Sequence, residues 1–548
     1  MSKSIFYVVS FLATGILLLT PFLLTEKPMV SMSLLQVTIF VVVVILLTRN
    51  FFFLVLNPWY DVYTYFRDRK YRSRKYRPLV SAIVPAWNEE VGIQLTLESI
   101  WASTYKDVEI IVVDDGSTDC TASIVRRFIR EKKKKTKHQK IRKTIRLIQQ
   151  SNQGKGSALN RGIKDSSGEI IITFDADSEV SPTAISAFVK RFRDPQISAA
   201  MGQVRIGNRQ TLAGLVQSLE YMLTFSFKKT SSLLNVMYVV GGAAAAYRRN
   251  IFSDVGYFDT ETITEDIDLS LRVLTHRKVI SYVENAVVYT EGASSFVSLI
   301  KQRLRWRRGR HDALLRHRKL LAKKEGAPHL LLRVVLSASI FLEALLLFEP
   351  LFFALLIFYS IAEQNFDSFA VLVVLLAFGF IITLLFSNYR TKYTSFILLS
   401  PIVWAGFYLA VLVEYAALAF SLYSLFTGKK VKWQKWDRRG VRGASSPILQ
   451  AGKKKALVRK YVSICFFIFL LLFAVGIFYY NTYTHTLLLS PILLVLLFAA
   501  STDGVFLSLH LTRKKINYPE LSFDPKNYPS LSLATTVLKL FLRPLNKL

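Results

Sequence analysis

Apolar runs of roughly 20 residues are the feature that most restricts how this 548-residue chain can fold. A helix of that length spans the hydrocarbon core of a bilayer, and in lipid a helix satisfies its own backbone hydrogen bonds. The chain is also basic, with 71 Lys and Arg against 38 Asp and Glu and a formal net charge of +33. Nucleic-acid-binding proteins share that charge but carry no such runs. The sequence therefore predicts a polytopic membrane protein with the lipid bilayer as a partner and no nucleic acid.

Two apolar runs stand near the N-terminus, at about 5–25 and 33–56. The first lacks the small-x-small cleavage site of a signal peptide and a second run follows closely, so we interpret it as a span. A dense basic cluster follows between residues 67 and 77, whereas the connection between the runs holds only Glu26 and Lys27 as charged residues. By the positive-inside rule, the chain after residue 77 is predicted to be cytoplasmic.

Counting the later runs tests this topology. Runs at about 331–360, 368–387 and 396–427 precede a basic stretch at 429–442, which should be cytoplasmic, yet one crossing per run would leave it outside. The 396–427 run carries Pro401 and Glu414, and a carboxylate in hydrocarbon is expensive unless it faces a cavity or a partner. We therefore predict two short or re-entrant helices over 396–427. A last pair of runs, at about 460–480 and 486–509, returns the C-terminus to the cytoplasm.

Between about residues 78 and 325 the pattern changes to that of a soluble α/β domain. The short apolar segments VSAIVPA, EIIVVDD and EIIITFDA alternate with polar, helix-like segments, which is the rhythm of parallel strands with crossover helices. Asp114 and Asp115 end one of these strands, and Asp175 and Asp177 follow another. Open α/β sheets bind ligands at the carboxyl ends of their strands, and a D-x-D pair can hold a hard divalent cation. A lone D-x-D pair also occurs in solvated turns, but the second acidic pair favours a site.

Two basic segments lie in or beside this domain. Residues 296–325 place apolar residues at helical spacing with many Arg and Lys opposite, which predicts a helix in the membrane interface. The segment at 132–143 is either a solvated insertion or a contact with anionic lipid head groups.

Short motifs across this region resemble those of the family 2 glycosyltransferases over about residues 78–325. The resemblance implies an α/β GT-A domain with a doubly wound, Rossmann-like mixed sheet, joined to an α-helical polytopic membrane domain. It also implies a hexosyltransferase. The motifs occur in the family's order: SAIVPAWNEE (81–90), VVDDGSTD (112–119), NQGKGSALNRG (152–162), FDADS (174–178), TED (264–266) and QRLRW (302–306).

The same resemblance implies a uridine-diphosphate-sugar donor and a divalent metal cofactor, Mg²⁺ or Mn²⁺. A cation would neutralise the charge that grows on the leaving diphosphate, and the planar fork of arginine suits a diphosphate. Carried over motif by motif, the implied roles are Pro85, Ala86 and Glu89 at the start of the nucleotide pocket, Asp115 toward the uridine, Lys155 toward the base or diphosphate, Asp175 supporting the donor sugar, Asp177 ligating the metal, and Gln302 and Arg305 approaching the diphosphate.

On the acceptor side, Asp266 is the implied general base that takes the proton from the attacking hydroxyl. Attack from the face opposite the leaving group inverts the anomeric centre and yields a β-linkage. QRLRW matches the QxxRW motif of the processive, membrane-integrated branch, which makes cellulose, chitin, hyaluronan and poly-N-acetylglucosamine. There Trp306 would stack on the terminal sugar of the growing polysaccharide, with Glu265 also on the acceptor side. Without the other motifs Trp306 would be interpreted as an interfacial anchor.

The segments at 202–209, 217–221 and 241–249 look most like the poly-N-acetylglucosamine and chitin-oligosaccharide synthases. The expected reaction is therefore polymerisation of N-acetylglucosamine from UDP-GlcNAc, followed by extrusion of the product. Two alternatives stay open. One is transfer of a single sugar to a lipid-linked acceptor, and the other is an inactive membrane scaffold or transporter.

The expected location is the plasma or inner membrane, with the catalytic domain and both termini cytoplasmic. The C-terminal hairpin either replaces the small membrane partner subunit of related synthases or lengthens the anchor. The predicted segments are two N-terminal transmembrane helices (1–60), a cytoplasmic GT-A domain (78–295), amphipathic interface helices with QxxRW (296–328), transmembrane or re-entrant helices (329–428), a basic cytoplasmic loop (429–459), a transmembrane hairpin (460–510) and a cytoplasmic tail (511–548).

Overall fold

An eight-stranded mixed sheet lies at the centre of the described chain. Its strand order is β3-β2-β1-β4-β7-β6-β8-β5. The strands are β1 (Val80–Ala86), β2 (Val108–Asp115), β3 (Thr144–Gln150), β4 (Ile170–Thr173), β5 (Ser178–Val180), β6 (Ile197–Ile206), β7 (Ala245–Arg248) and β8 (Val279–Thr290). The computed structural model describes residues 56–57, 59–136, 143–209, 211–317, 330–346 and 403–427, with isolated positions at 354–355, 357–358, 361 and 440–441.

The first half of the sheet is parallel. β1 pairs in parallel with β2 and β4, and β2 pairs in parallel with β3. β2 is buried along its whole length, as expected for a parallel strand that is covered on both faces and reads as a continuous apolar run. β7 then runs antiparallel between β4 and β6, which makes the sheet mixed. The predicted mixed α/β sheet is therefore confirmed.

Helices connect and cover these strands. The first three lie between successive strands of the parallel half, so the βαβ rhythm of the sequence is present in the fold. The helices are α1 (Ile93–Trp101), α2 (Thr121–Thr136), α3 (Lys155–Lys164), α4 (Ala184–Arg191), α5 (Leu212–Leu233), α6 (Ile251–Val255), α7 (Glu265–Thr275), α8 (Phe296–Arg316), α9 (Leu330–Leu346) and α10 (Val403–Phe426).

The prediction of two short helices over 396–427 is wrong for residues 403–426, which form the single continuous helix α10 of 24 residues. Pro401 lies outside the described residues. Glu414 needs no break in the helix, because it forms ion pairs with Arg303 (3.3 Å) and Arg307 (2.5 Å) of α8. The predicted partner for this carboxylate therefore exists, on a different element of the chain.

Within the described ranges, none of the helices combines the length and the apolar character that a membrane crossing requires. The predicted spans at 5–25, 368–387, 460–480 and 486–509 lie outside the described residues, as do almost all of 33–56 and part of 331–360. These spans and the segment boundaries drawn from them remain predictions.

Candidate functional site

The parallel strands bring the predicted donor residues to one edge of the sheet. Pro85 and Ala86 end β1, in register with Val113 and Asp114 of β2. Asp115 is the last residue of β2, one position further along. Carboxyl ends of parallel strands meet at the same edge, which is where open α/β sheets bind ligands. The start of the predicted nucleotide pocket and its acidic residue are therefore neighbours.

The Asp115 carboxylate organises the loop that leads to Lys155. It accepts hydrogen bonds from the backbone N–H groups of Gln153 (2.9 Å) and Gly154 (2.8 Å) and from the side-chain amide of Gln150 (2.8 Å). Gly154 has a φ of +89°, a backbone conformation that favours glycine. Because α3 begins at the next residue, Lys155, the Asp115 carboxylate fixes the position of the backbone that carries the Lys155 side chain.

The loops after β1 and β2 are hydrogen-bonded to each other. The side-chain oxygen of Asn88 accepts from the backbone N–H of Thr118 (2.8 Å), and the Asn88 N–H donates to Ser117 Oγ (2.9 Å). The N–H of Glu89 donates to Thr121 Oγ1 (2.8 Å), and Glu89 itself is buried. Hydrogen bonds between the SAIVPAWNEE motif and the segment after β2 thus fix the position of Glu89.

Lys155 connects the predicted nucleotide loop, residues 152–155, with the FDADS and TED motifs. Its ammonium group lies 2.6 Å from Asp175 Oδ1 and 3.6 Å from Glu265 Oε1. Burial lowers the pKa of Lys155, but the charges of Asp175 and Glu265 outweigh it and raise that pKa overall. Burial raises the pKa of Glu265, while the positive charges of Lys155 and Arg305 oppose the rise. The structure therefore brings predicted donor and acceptor residues into one electrostatic cluster.

The FDADS loop is held by the start of α1. Thr96 Oγ1 donates to the carbonyl of Ala176 (2.8 Å) and accepts from the N–H of Ser178 (3.1 Å). A Cβ added at Gly92 would lie only 2.9 Å from the Cα of Asp177, so the two backbones approach too closely for any larger residue. Asp177 is 8% exposed. Its predicted role depends on this close approach.

The donor set at Asp177 fits a hard cation only in part. Among the residues the structure describes, no cluster of three or more His, Cys, Asp or Glu could hold a metal ion by itself. Asp175 forms an ion pair with Lys155 (2.6 Å), and Asp177 is the second carboxylate of the D-x-D pair. Mg²⁺ is commonly held by one or two carboxylates together with substrate phosphates. The residues therefore suit a cation whose coordination a bound diphosphate would complete.

Asp266 lies in the first turn of α7, where the helix dipole favours a negative charge. Its carboxylate accepts hydrogen bonds from the backbone N–H groups of Gly242 (3.2 Å) and Ile267 (2.8 Å). The carbonyl of Gly242 in turn accepts from Thr173 Oγ1 (3.0 Å) at the end of β4. This links the predicted base to the strand that precedes the FDADS motif. The role of the short 3₁₀ turn at Gly242–Ala244 was not predicted from the sequence.

Helix α8, which carries QRLRW, packs directly on the TED motif. A Cβ added at Gly309 would overlap the side chain of Thr264, so the helix backbone rests against that residue. His317, just after the helix, lies 2.7 Å from Asp268 Oδ1. Trp306 is half-buried on this helix, with the Tyr221 ring 6.5 Å away between centroids. The structure thus places the predicted acceptor-stacking residue on the helix that packs against Thr264 of the TED motif.

Gln302 does not join this group through any hydrogen bond that the structure describes. It is buried, and its carboxamide oxygen accepts from the side chain of Gln217 (2.8 Å). Gln217 also accepts from the N–H of Ala293 (2.9 Å) at the start of the α8 region. The predicted contact of Gln302 with a diphosphate stays a prediction.

Lys228 is a residue near the site that the motifs did not reveal. Its ammonium group donates to the carbonyl of Val239 (2.8 Å), a few residues before Gly242. Burial lowers the pKa of Lys228 to about 8, and the negative charge of Asp266 opposes this. No spacing rule connects position 228 with TED, so only the folded chain identifies this cation near the predicted base.

A sheet edge with the predicted nucleotide loops, a D-x-D pair and a nearby carboxylate is typical of nucleotide-sugar transferases. Two family models match the chain: one described as "Glycosyl transferase family 2" over residues 81–256 and one described as "Glycosyl transferase family group 2" over residues 170–501. Since the second covers more than half of the 548 residues, the chain belongs to the family 2 glycosyltransferases. The family resemblance of the motifs is confirmed.

The chain is also similar to curated polysaccharide synthases. It is 33% identical over 239 residues to the poly-beta-1,6-N-acetyl-D-glucosamine synthase of Staphylococcus epidermidis, covering 43% of this chain and 56% of that protein. It is 30% identical over 266 residues to the synthase of the same name from Staphylococcus aureus strain COL, covering 47% of this chain and 62% of that protein. The match thus spans less than two thirds of the length of either relative.

A mannosyltransferase from Pyrobaculum calidifontis, solved in complex with GDP-Man and Mn²⁺, is among the similar structures. It is 20% identical with a TM-score of 0.46, over 69% of this chain and 98% of that chain.

Proposed function

We propose that this chain is a membrane-embedded, inverting glycosyltransferase that adds N-acetylglucosamine from UDP-GlcNAc to a growing β-linked polysaccharide. The observation that carries the proposal is the Lys155 cluster, in which a cation of the nucleotide loop contacts Asp175 of the D-x-D motif and Glu265 of TED. Such a cluster joins donor chemistry to acceptor chemistry within one site. The names of the curated relatives support N-acetylglucosamine as the sugar.

On the donor side, cationic side chains would hold the diphosphate. Lys155 is the first residue of α3, directly after the loop held by Asp115. The positive charge of Arg305 acts on Glu265 of the same cluster. Asp177 would hold Mg²⁺ or Mn²⁺ together with the donor phosphates. When bound, the cation supplies neutralisation of the negative charge on the departing nucleoside diphosphate.

On the acceptor side, an Asp266 carboxylate oxygen would accept the proton of the acceptor hydroxyl. The hydroxyl oxygen forms the new bond to the anomeric carbon while the bond to the diphosphate oxygen breaks on the opposite face. The hydrogen bonds from Gly242 and Ile267 hold this carboxylate in one orientation. Trp306 would present a broad apolar face to the terminal pyranose.

Membrane embedding and extrusion of the product are part of the proposal. They are supported by the apolar runs of the sequence and by the basic clusters beside them. The catalytic domain would then lie in the cytoplasm, where nucleotide sugars are made available. A small membrane subunit is a further proposed partner, unless the 460–510 hairpin takes its place.

The function is tested by donor screening with purified full-length protein in nanodiscs. We expect UDP release and an N-acetylglucosamine polymer with UDP-GlcNAc, and little of either with UDP-glucose or UDP-glucuronic acid. Released UDP and incorporated sugar are measured in parallel. Absence of UDP release with every donor, or a polymer of another sugar, would contradict the proposal.

Replacing Trp306 with Ala is expected to shorten or abolish the polymer while donor binding survives. Loss of stacking should cost about 1–3 kcal/mol of acceptor contact, by analogy with other aromatic stacking sites. The ratio of released UDP to polymerised sugar should rise, because a bound donor without an acceptor still reacts slowly with water. Trp101→Ala is the control, because that indole packs on Phe128 in the α1–α2 region. An unchanged ratio and an unchanged product length would remove Trp306 from the acceptor site and leave it as a membrane anchor.

A further inference from the structure

Four charged side chains meet between α5, α8 and α10. Arg303 lies inside QRLRW and Glu220 inside the 217–221 segment, but neither motif assigns a role to these residues. Arg303 of α8 lies 2.7 Å from Glu220 of α5 and 3.3 Å from Glu414 of α10. Arg307, one turn along α8, donates through Nε to Glu414 (2.6 Å). We call Arg303, Arg307, Glu220 and Glu414 the Arg303 cluster. Its two positive and two negative charges balance.

The centre of the Arg303 cluster is withdrawn from solvent. The Arg303 side chain is 5% exposed, against 23% for Glu220 and 18% for Glu414. Removing charges from water is expensive, and apolar residues of similar volume often stabilise a fold equally well. A buried cluster of this kind is therefore poorly explained by stability alone. It does define, through directional bonds, how three helices meet.

Arg303 also contacts Trp306. Its guanidinium carbon lies 4.3 Å from the centroid of the Trp306 ring and 5.9 Å from that of Tyr221. A guanidinium can bond carboxylates through its edge and stack on an aromatic ring through its face. Arg303 does both at once, so the carboxylates hold the group that covers one face of the indole. Trp306 itself is only half-buried, so part of the indole stays exposed beside this contact.

We propose that Arg303, held between Glu220 and Glu414, is a positioning residue for Trp306 and thereby makes α10 part of the acceptor site. This rests on the proposed function, because it assigns the exposed part of the indole to the terminal sugar of the polysaccharide. Arg303 itself touches the back of the indole and needs no contact with sugar or donor. In the sequence, Glu414 is only a costly charge in an apolar run. In this proposal it holds Arg303 in place from α10.

The test compares Arg303→Lys with wild-type protein in nanodiscs. Lysine keeps the positive charge between Glu220 and Glu414 but has no planar face to stack on indole. A lysine ammonium still attracts an aromatic face, so only part of the contact is lost. We expect the KM for a short β-linked N-acetylglucosamine acceptor to rise by up to about 30-fold, the upper limit of a cation–π contact, and the product to shorten. The KM for UDP-GlcNAc and the rate of UDP release without acceptor should stay within about twofold, since the donor contacts lie elsewhere.

Arg308→Lys is the matched control. Arg308 is on the same helix and bonds Asp312 (3.0 Å) and Ser424 of α10 (3.1 Å), and no contact with an indole is described for it. Its acceptor KM and product length should equal those of wild type. A rise in acceptor KM of the same size in both variants would mean a general loosening of α8 and would overturn the positioning role.

Two further measurements protect the test from misfolding or from failure of the proposed function. Glu414→Gln keeps the side-chain shape and the Arg303–Glu220 pair, and we expect it to raise the acceptor KM in the same direction. The emission of Trp306 in each protein is obtained by subtracting the spectrum of the same protein carrying Trp306→Phe. This emission should change in Arg303→Lys and not in Arg308→Lys. If wild type releases no UDP, the proposed function fails and the emission alone decides the indole contact. Unchanged emission, or an unchanged acceptor KM in an active enzyme, overturns the inference.

Discussion

Asp266→Asn is expected to lower turnover by about 10²–10⁴-fold, the usual cost of removing a general base. Donor affinity should stay within a few-fold of wild type. Asparagine has nearly the same shape as aspartate and keeps one oxygen that can accept a hydrogen bond from Gly242 or Ile267. It cannot take a proton from the acceptor hydroxyl. The measurement is the initial rate of UDP release with acceptor present, together with donor binding by calorimetry.

Asp254→Asn is the control for this substitution. Asp254 lies on α6 and forms an ion pair with Lys278 (2.5 Å) in a half-exposed position, away from the TED motif. Removing its charge should leave turnover unchanged. If Asp266→Asn kept wild-type turnover, Asp266 would not be the base, and the 3₁₀ turn at Gly242–Ala244 would have only a structural purpose.

Exhaustive removal of divalent cations is the second change with a large expected effect. EDTA should lower activity by about 10²-fold or more, on the scale of losing a main electrostatic contact to a leaving group. Added Mg²⁺ or Mn²⁺ should restore it. The physical reason is that Asp177 alone offers too few ligands, so the cation and the diphosphate depend on each other for binding.

EDTA saturated beforehand with Mg²⁺ is the matched control and should have no effect on turnover. Asp177→Asn should also raise the concentration of Mg²⁺ or Mn²⁺ needed for half-maximal activity. Full activity after exhaustive chelation would rule out a metal-assisted leaving group and would shift that task to Lys155 and Arg305.

The parallel half of the sheet could be predicted because each of its strands shows as a short apolar run in the sequence. The apolar runs of β1, β2 and β4 are short and continuous, as buried parallel strands require. Asp115 and Asp177 stand at or a few residues after strand ends, so the sheet-edge rule alone predicts both at the ligand-binding edge of the sheet. The family resemblance implied that the motifs form one site, and the contacts of Lys155 with Asp175 and Glu265 join three of these motifs.

The contacts between α8 and α10 could not be predicted, because their members lie more than a hundred residues apart in the chain. Periodicity records which positions are apolar, but it does not record which distant charge will meet a buried carboxylate. Glu414 therefore indicated a break in the 396–427 run, whereas Arg303 and Arg307 supply its counter-charge and leave α10 continuous. The same limit hid Lys228, whose relation to Asp266 exists only in the folded chain.

The absence of a side chain at Gly309 has a consequence for the reach of the enzyme. Residues three apart on a helix are neighbours on one face, so Gly309 and Trp306 lie on the same side of α8. We expect a methyl group at position 309 to push α8 away from Thr264 and to move Trp306 with it. On the proposed function, this would lengthen the gap between the indole and Asp266 that one sugar unit must bridge. Position 309 would then help to set the size of the monomer that fits between stacking and deprotonation.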